Sequence, residues 1–176
     1  ARVEYISWSG GSTIKRWISG WIGGLLKSDI RAHSTRLYRR AEEELASVVA
    51  EQDSGTWLSV VVPIYNTPIK YLEDIVCSYR RQEIDGTELI LSDDGSAAPE
   101  MLAWLEQLES QGLTHVKVLK ATNNGGISAA TNLGVSSAKG QWIALLDHDD
   151  VIAPAAFKSI YRAILENQRA KFIFTD

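Results

Sequence analysis

The chain has 176 residues, 45% hydrophobic and 23% charged, the balance of a globular domain rather than of a collagen, a low-complexity or a disordered chain. A net charge of −4 argues against a basic face for nucleic acid, and a single cysteine, Cys77, excludes an intrachain disulfide framework or a cysteine-based metal cluster. No apolar run reaches the roughly 20 residues needed to span a bilayer.

Charge is unevenly placed. Residues 1–56 hold eight Lys/Arg and seven Asp/Glu, while residues 57–176 hold ten and fifteen. The texture changes at the same point, so the expected organisation is a helical segment and linker over 1–55 and a second unit over 56–176.

Residues 1–27 carry Trp8, Trp17, Trp21 and five glycines. Packing against another part of the protein is the favoured reading, because the glycines weaken a helix. Trp and basic residues also suit a headgroup region, so a peripheral membrane contact stays open as the alternative. Residues 28–52 read as a helix: Ser28 and Asp29 supply a cap, and Ile30, Leu37, Ala41, Leu45 and Val48 recur at helical spacing.

From Trp57 strands and helices alternate. Leu58-Ser-Val-Val-Val-Pro-Ile64 is rich in β-branched residues and reads as a buried strand. Pro68 opens a helix running to about Gln82, in which Cys77 reads as a buried structural thiol. Glu88-Leu-Ile-Leu-Ser92 is a second strand, ending in a turn at Asp93-Asp94-Gly95-Ser96. A helix from Pro99 to about Gln111 and a strand at His115-Val-Lys-Val-Leu119 follow. After a loop at Thr122-Asn-Asn-Gly-Gly126 come a helix of small residues from Ile127 to about Ala138 and a strand at Gln141-Trp-Ile-Ala-Leu-Leu146. A helix from Pro154 and a fifth strand at Lys171-Phe-Ile-Phe-Thr175 complete the pattern.

Such alternation means an α/β fold with a mainly parallel sheet and flanking helices. Ligands of these sheets bind beyond the carboxyl ends of the strands. Four polar clusters lie just past those ends: Pro63 to Asn66, Asp93-Asp94, residues 123–126 and residues 147–150.

Asp147-His148-Asp149-Asp150 is the strongest single signal. Three carboxylates in four residues repel one another unless a cation offsets them. Hard oxygen ligands without cysteine favour Mg2+ or Mn2+, which would stabilise charge on a leaving diphosphate. The plain alternative is a turn in which Asp149 or Asp150 caps the helix near Pro154. His148 fits a ligand, a proton handler or a side chain pointing away. Asp93-Asp94 fits a base or ribose contact, or a turn capping the helix from Pro99. Tyr65 beside Asn66 fits stacking on a planar base, or an ordinary aromatic at a strand end. Asn124-Gly125-Gly126 precedes a helix N-terminus, where free N–H groups favour phosphate, although Gly-Gly alone is a weak signal. The dinucleotide fingerprint and the Walker lysine are both absent, and no Ser-His-Asp arrangement is indicated.

Together these pieces resemble the family 2 glycosyltransferases, with their GT-A (nucleotide-diphospho-sugar transferase) Rossmann-like sandwich. The likeness runs from Ser59 to about Asp176. It is carried by Ser59-Val-Val-Val-Pro-Ile-Tyr-Asn66, by Leu89-Ile-Leu-Ser-Asp-Asp-Gly-Ser96, by Asn124-Gly-Gly-Ile-Ser-Ala-Ala-Thr-Asn-Leu-Gly134, and by Ala138-Lys-Gly-Gln-Trp-Ile-Ala-Leu-Leu-Asp-His-Asp-Asp150, which ends in an Asp-x-Asp motif. The resemblance implies an inverting transfer from a UDP- or dTDP-linked sugar to a saccharide or lipid-linked acceptor, of the bacterial surface-polysaccharide type. It places Pro63 and Tyr65 against the base, Asp93 or Asp94 on base or ribose, and Asn66, Asn124, Gly125 and Asn132 among the donor contacts. Asp149 would hold the cation, with Asp147 nearer the ribose. Where many members have Arg before the Asn of the third motif, this chain has Thr131-Asn132.

The catalytic base is expected beyond Asp176, the chain being read as the donor-binding portion of a longer protein. The expected setting is cytoplasmic, at the inner face of the membrane if the Trp-rich segment docks there. An unfinished sheet edge predicts self-association. Two alternatives stand: a non-catalytic nucleotide-binding or interaction module, and a Mg2+-dependent phosphoryl-transfer domain, whose Asp-x-Asp pattern Asp147-His-Asp-Asp-Val151 satisfies only in part.

Overall fold

The computed structural model describes residues 6–7, 55–82 and 84–174. The helix expected over 28–52 and nearly all of the Trp-rich stretch lie outside the described residues. The chain divides into two compact units, Gln52–Pro154 and a second made of Ala1–Glu51 with Ala155–Asp176. Residues Ala155–Asp176 thus group with the N-terminal segment rather than with the sheet.

The first unit holds a four-stranded parallel sheet of β2 (Leu58–Ile64), β3 (Thr87–Asp93), β4 (Val116–Lys120) and β5 (Trp142–Leu145), in the order β4-β3-β2-β5. The two central strands are buried on both faces, which explains the unbroken apolar runs Val60-Val61-Val62 and Leu89-Ile90-Leu91. The outer strands β4 and β5 are only partly buried, and Ile143 and Leu145 on β5 are exposed. Pro63 sits in a central strand without breaking a ladder. The Val61 carbonyl accepts from Leu146 N–H, so odd-numbered residues of β2 face β5, and the β5 ladder ends at Val61. Pro63 therefore falls where no donor is needed.

Three helices cover the sheet: α1 (Ile69–Arg80), α2 (Pro99–Ser110) and α3 (Ile127–Ser137). Leu72, Ile75, Val76 and Tyr79 form the buried stripe of α1. Cys77 lies outside that stripe and is exposed, so the expected buried thiol is corrected: it stands one residue out of phase with the apolar face. In α2 the buried residues are Met101, Leu105 and Leu108. Small residues let α3 lie close on β2 and β3, and a Cβ added at Gly134 would meet Val61 Cγ1 at 2.4 Å.

In the second unit, α4 (Ala156–Glu166) starts after Ala155, which is in the left-handed region, with no side-chain cap. Neither Asp149 nor Asp150 therefore caps that helix. The expected fifth strand starts two residues later than expected, as β6 (Ile173–Phe174), which pairs in parallel with β1 (Ile6–Ser7). Among the described residues no helix is long and apolar enough to cross a membrane.

Candidate functional site

In-register pairing aligns Ile64, Asp93 and Lys120 at the carboxyl ends of β2, β3 and β4. The loops after β2, β3 and β4 are tied to one another there. Asp93 and Asp94 are both buried, and each spends its carboxylate on a neighbour. Asp93 accepts from the backbone N–H and the hydroxyl of Ser96, closing the turn after β3. Asp94 reaches across to the loop after β4, taking Gly125 N–H at 2.9 Å on Oδ1 and Gly126 N–H at 2.7 Å on Oδ2. The N–H groups that the sequence offers to a phosphate before α3 are thus held by a carboxylate of the chain itself. Gly95 has φ +74, and a Cβ there would meet the Asn123 carbonyl carbon at 2.9 Å, so the two loops touch backbone to backbone.

Asn66 ties in the loop after β2. Its backbone N–H donates to Ser96 Oγ at 2.8 Å, and its Oδ1 accepts from Ala97 and Ala98 N–H at 2.9 and 3.1 Å. This amide, rather than an aspartate, satisfies the donors ahead of α2. Asn66 takes a left-handed φ of 45, which asparagine tolerates. Tyr65 beside it is 49% exposed, its ring available at the strand end.

The acidic loop follows β5. Leu146 N–H donates to the Val61 carbonyl at 3.1 Å, and Asp150 N–H donates to the Asp147 carbonyl at 3.2 Å, so residues 147–150 form a turn at the sheet end. Their side chains are exposed. A cavity of about 440 Å³ opens beside them. It is lined by Pro63 from β2, by Ile127, Ser128, Thr131 and Asn132 from α3, and by Leu145, Leu146, Asp147 and Asp150. Of the residues expected at the site, Pro63, Asn132 and Asp147 meet on this cavity. Asp150 joins them, while Asp149 is in the turn but not on the wall. Tyr65, Asn66, Asp93, Asp94, Asn124 and Gly125 form the adjoining loop cluster and not the wall itself.

Among the described residues no group of three or more His, Cys, Asp or Glu side chains is gathered to hold a metal ion. A closed protein cage is therefore not what this loop offers. One or two exposed carboxylates at an open cavity fit Mg2+ or Mn2+, which complete their shells with water and phosphate oxygens.

Two residues that sequence reasoning passed over hold the far side of the acidic loop. Ser78 Oγ accepts from Ile152 N–H at 3.1 Å, and Gln82 Nε2 donates to the Ala153 carbonyl at 3.0 Å. The available signal was a pair of polar residues, spaced i and i+4, beside the apolar stripe of α1.

The profile of Glycosyl transferase family 2 matches residues 59–175, and the chain belongs to that family. It is 32% identical over 174 residues to protein y4gI of Sinorhizobium fredii, covering 99% of this chain and 18% of that protein. It is 37% identical over 111 residues to glycosyltransferase GlyG of Streptococcus pneumoniae, covering 62% of this chain and 35% of GlyG. Residues 1–349 of S. aureus TarS, crystallised in complex with UDP, match with a TM-score of 0.56 and 27% identity, covering 64% of this chain and 33% of that one. The fold is the α/β GT-A fold. The chain spans about a fifth to a third of the length of these relatives.

Proposed function

We propose that this chain supplies donor and metal binding to an inverting glycosyltransferase. The enzyme would move a sugar from a UDP- or dTDP-linked donor to a saccharide or lipid-linked acceptor in bacterial cell-surface polysaccharide synthesis, on the cytoplasmic side. The observation that carries the reading is the cavity at the strand ends, where the acidic turn of 147–150 faces Pro63 and the first turns of α3.

In this reading Pro63 and Tyr65 flank the base, and Asp93 and Asp94 keep acceptor lone pairs for a base N–H or a ribose hydroxyl beyond those their loop bonds use. Asn66, Asn124 and Gly125 shape that loop cluster, and Asn132 on the cavity wall takes a donor oxygen. Mn2+ or Mg2+ would be held from Asp147 and Asp149, with Asp150 as a further carboxylate on the wall. When bound, it offsets the charge that builds on the leaving diphosphate. The sugar's anomeric carbon loses its bond to the diphosphate as it gains one to the acceptor oxygen. A general base takes the acceptor's proton. TarS, which has a structure with UDP, supports uracil as the first base to try. Membership of glycosyltransferase family 2 leaves the phosphoryl-transfer alternative without support.

Calorimetric titration of UDP, dTDP and GDP, with Mn2+ and with EDTA, tests this. Metal-dependent binding of one diphosphate, lost in Asp147→Asn and Asp149→Ala, is the expected result. Binding that is equal in Mn2+ and EDTA would remove the metal from the reading, and no binding of any nucleotide would remove the donor site from this chain.

A further inference from the structure

The acidic loop is anchored at both ends. On the N-terminal side the anchor is the backbone bond from Leu146 to Val61. On the C-terminal side it is made by two side chains of, and just after, α1. Ser78 Oγ donates to the Ile75 carbonyl at 2.9 Å and accepts from Ile152 N–H at 3.1 Å. Gln82 Nε2 donates to the Ser78 carbonyl at 3.1 Å and to the Ala153 carbonyl at 3.0 Å. Both residues are buried, Ser78 at 8% exposure and Gln82 at 3%.

Burying a side-chain amide is costly unless its donors are matched, and an apolar residue would cover the same face without that cost. The neighbours Leu72, Ile75 and Val76 do cover it that way. What the two polar groups add is direction: each reaches the backbone within three residues of Asp150. Residues 147–151 are bridged between these anchors, and they carry three carboxylates that repel one another.

We propose that Ser78 and Gln82 are positioning residues for the acidic loop, holding the turn that carries Asp147 and Asp149 where a divalent cation can take them. The inference rests on the metal reading above. Outer-sphere groups that orient ligands typically change metal affinity by about 10- to 100-fold when removed.

The test compares the parent chain with Gln82→Met, which keeps length and packing but removes both N–H donors, and with Ser78→Ala. Mn2+ affinity in the presence of UDP is read from the electron paramagnetic resonance of free Mn2+. UDP affinity in EDTA is read by calorimetry, and folding by far-ultraviolet circular dichroism. The expected result is a loss of Mn2+ affinity of about tenfold or more in both variants, with metal-free UDP affinity within about twofold of the parent. Parent-like Mn2+ affinity in both variants would overturn the positioning role and leave the metal reading standing. Equal losses with and without metal would overturn it too, by exposing a general packing defect. A parent chain with no Mn2+-dependent UDP binding would remove the metal reading and this inference together.

Discussion

Asp94 and Gly126 meet across two loops, the Asp94 Oδ2 taking the Gly126 N–H at 2.7 Å although the residues stand 32 apart in the chain. Gly126 is also the residue from which α3 starts, with φ +86. One buried carboxylate thus fixes where α3 begins, and through α3 the wall formed by Ile127, Thr131 and Asn132. Asp94→Asn keeps the shape but turns one acceptor oxygen into a donor facing an N–H. Hydrogen bonds to charged groups contribute about 1.5–3 kcal/mol, so a loss of about 2 kcal/mol is expected. Urea denaturation of the parent and of Asp94→Asn checks this. An unchanged midpoint would show that the loops hold together without the carboxylate.

Much of the fold was legible because its signals are local. The runs at 60–62 and 89–91 are apolar on both faces of the strand, and a parallel sheet requires that. Once strands are placed, topology alone brings residues 147–150 to the same edge as Asp93 and Asp94. What the chain did not disclose is how polar atoms divide between structure and site. Asp94 and Asn66 carry the residue types of a binding loop, yet their oxygens take backbone N–H groups at 125, 126, 97 and 98. Those partners lie about 30 residues away, beyond any local pattern. Cys77 and Ser78 show the limit of helical phase, since one step along α1 exchanges an exposed thiol for a buried hydroxyl bonded to Ile152. The pairing of β6 with β1 joins the two ends of the chain, and no periodicity encodes a partner.

Gly134 tests the contact between α3 and the sheet. As a helix former alanine is better than glycine by about 1 kcal/mol, which favours Gly134→Ala on propensity. Its Cβ, however, would stand 2.4 Å from Cγ1 of Val61, a fully buried residue in a central strand that has no room to yield. Overpacking of this kind costs about 1–3 kcal/mol and outweighs the propensity gain. Gly134→Ala is therefore expected to lower the thermal midpoint. Val61→Ala removes the colliding methyl group, so the double variant should lose less than the sum of the two single losses. Additive losses would show that α3 shifts to relieve the clash.

Tyr79 gives the fold a pH dependence in the alkaline range. Its hydroxyl lies 3.1 Å from Thr87 Oγ1 and donates to the His115 carbonyl at 3.3 Å, linking α1 to β3 and to the residue ahead of β4. Burial raises the phenol's pKa above the usual tyrosine value of about 10; the Thr87 hydrogen bond works against that shift and the Glu88 charge adds to it. A raised folded-state value means that the unfolded chain releases this proton first. The stabilisation is complete below pH about 10 and is lost as pH rises through the folded-state value. Tyr79→Phe lacks this titration. The stability difference between parent and Tyr79→Phe, measured by urea denaturation at several pH values, should be constant below pH about 10 and shrink above it. A difference that stays flat through that range would show that Tyr79 is no harder to ionise in the folded chain than in the unfolded one.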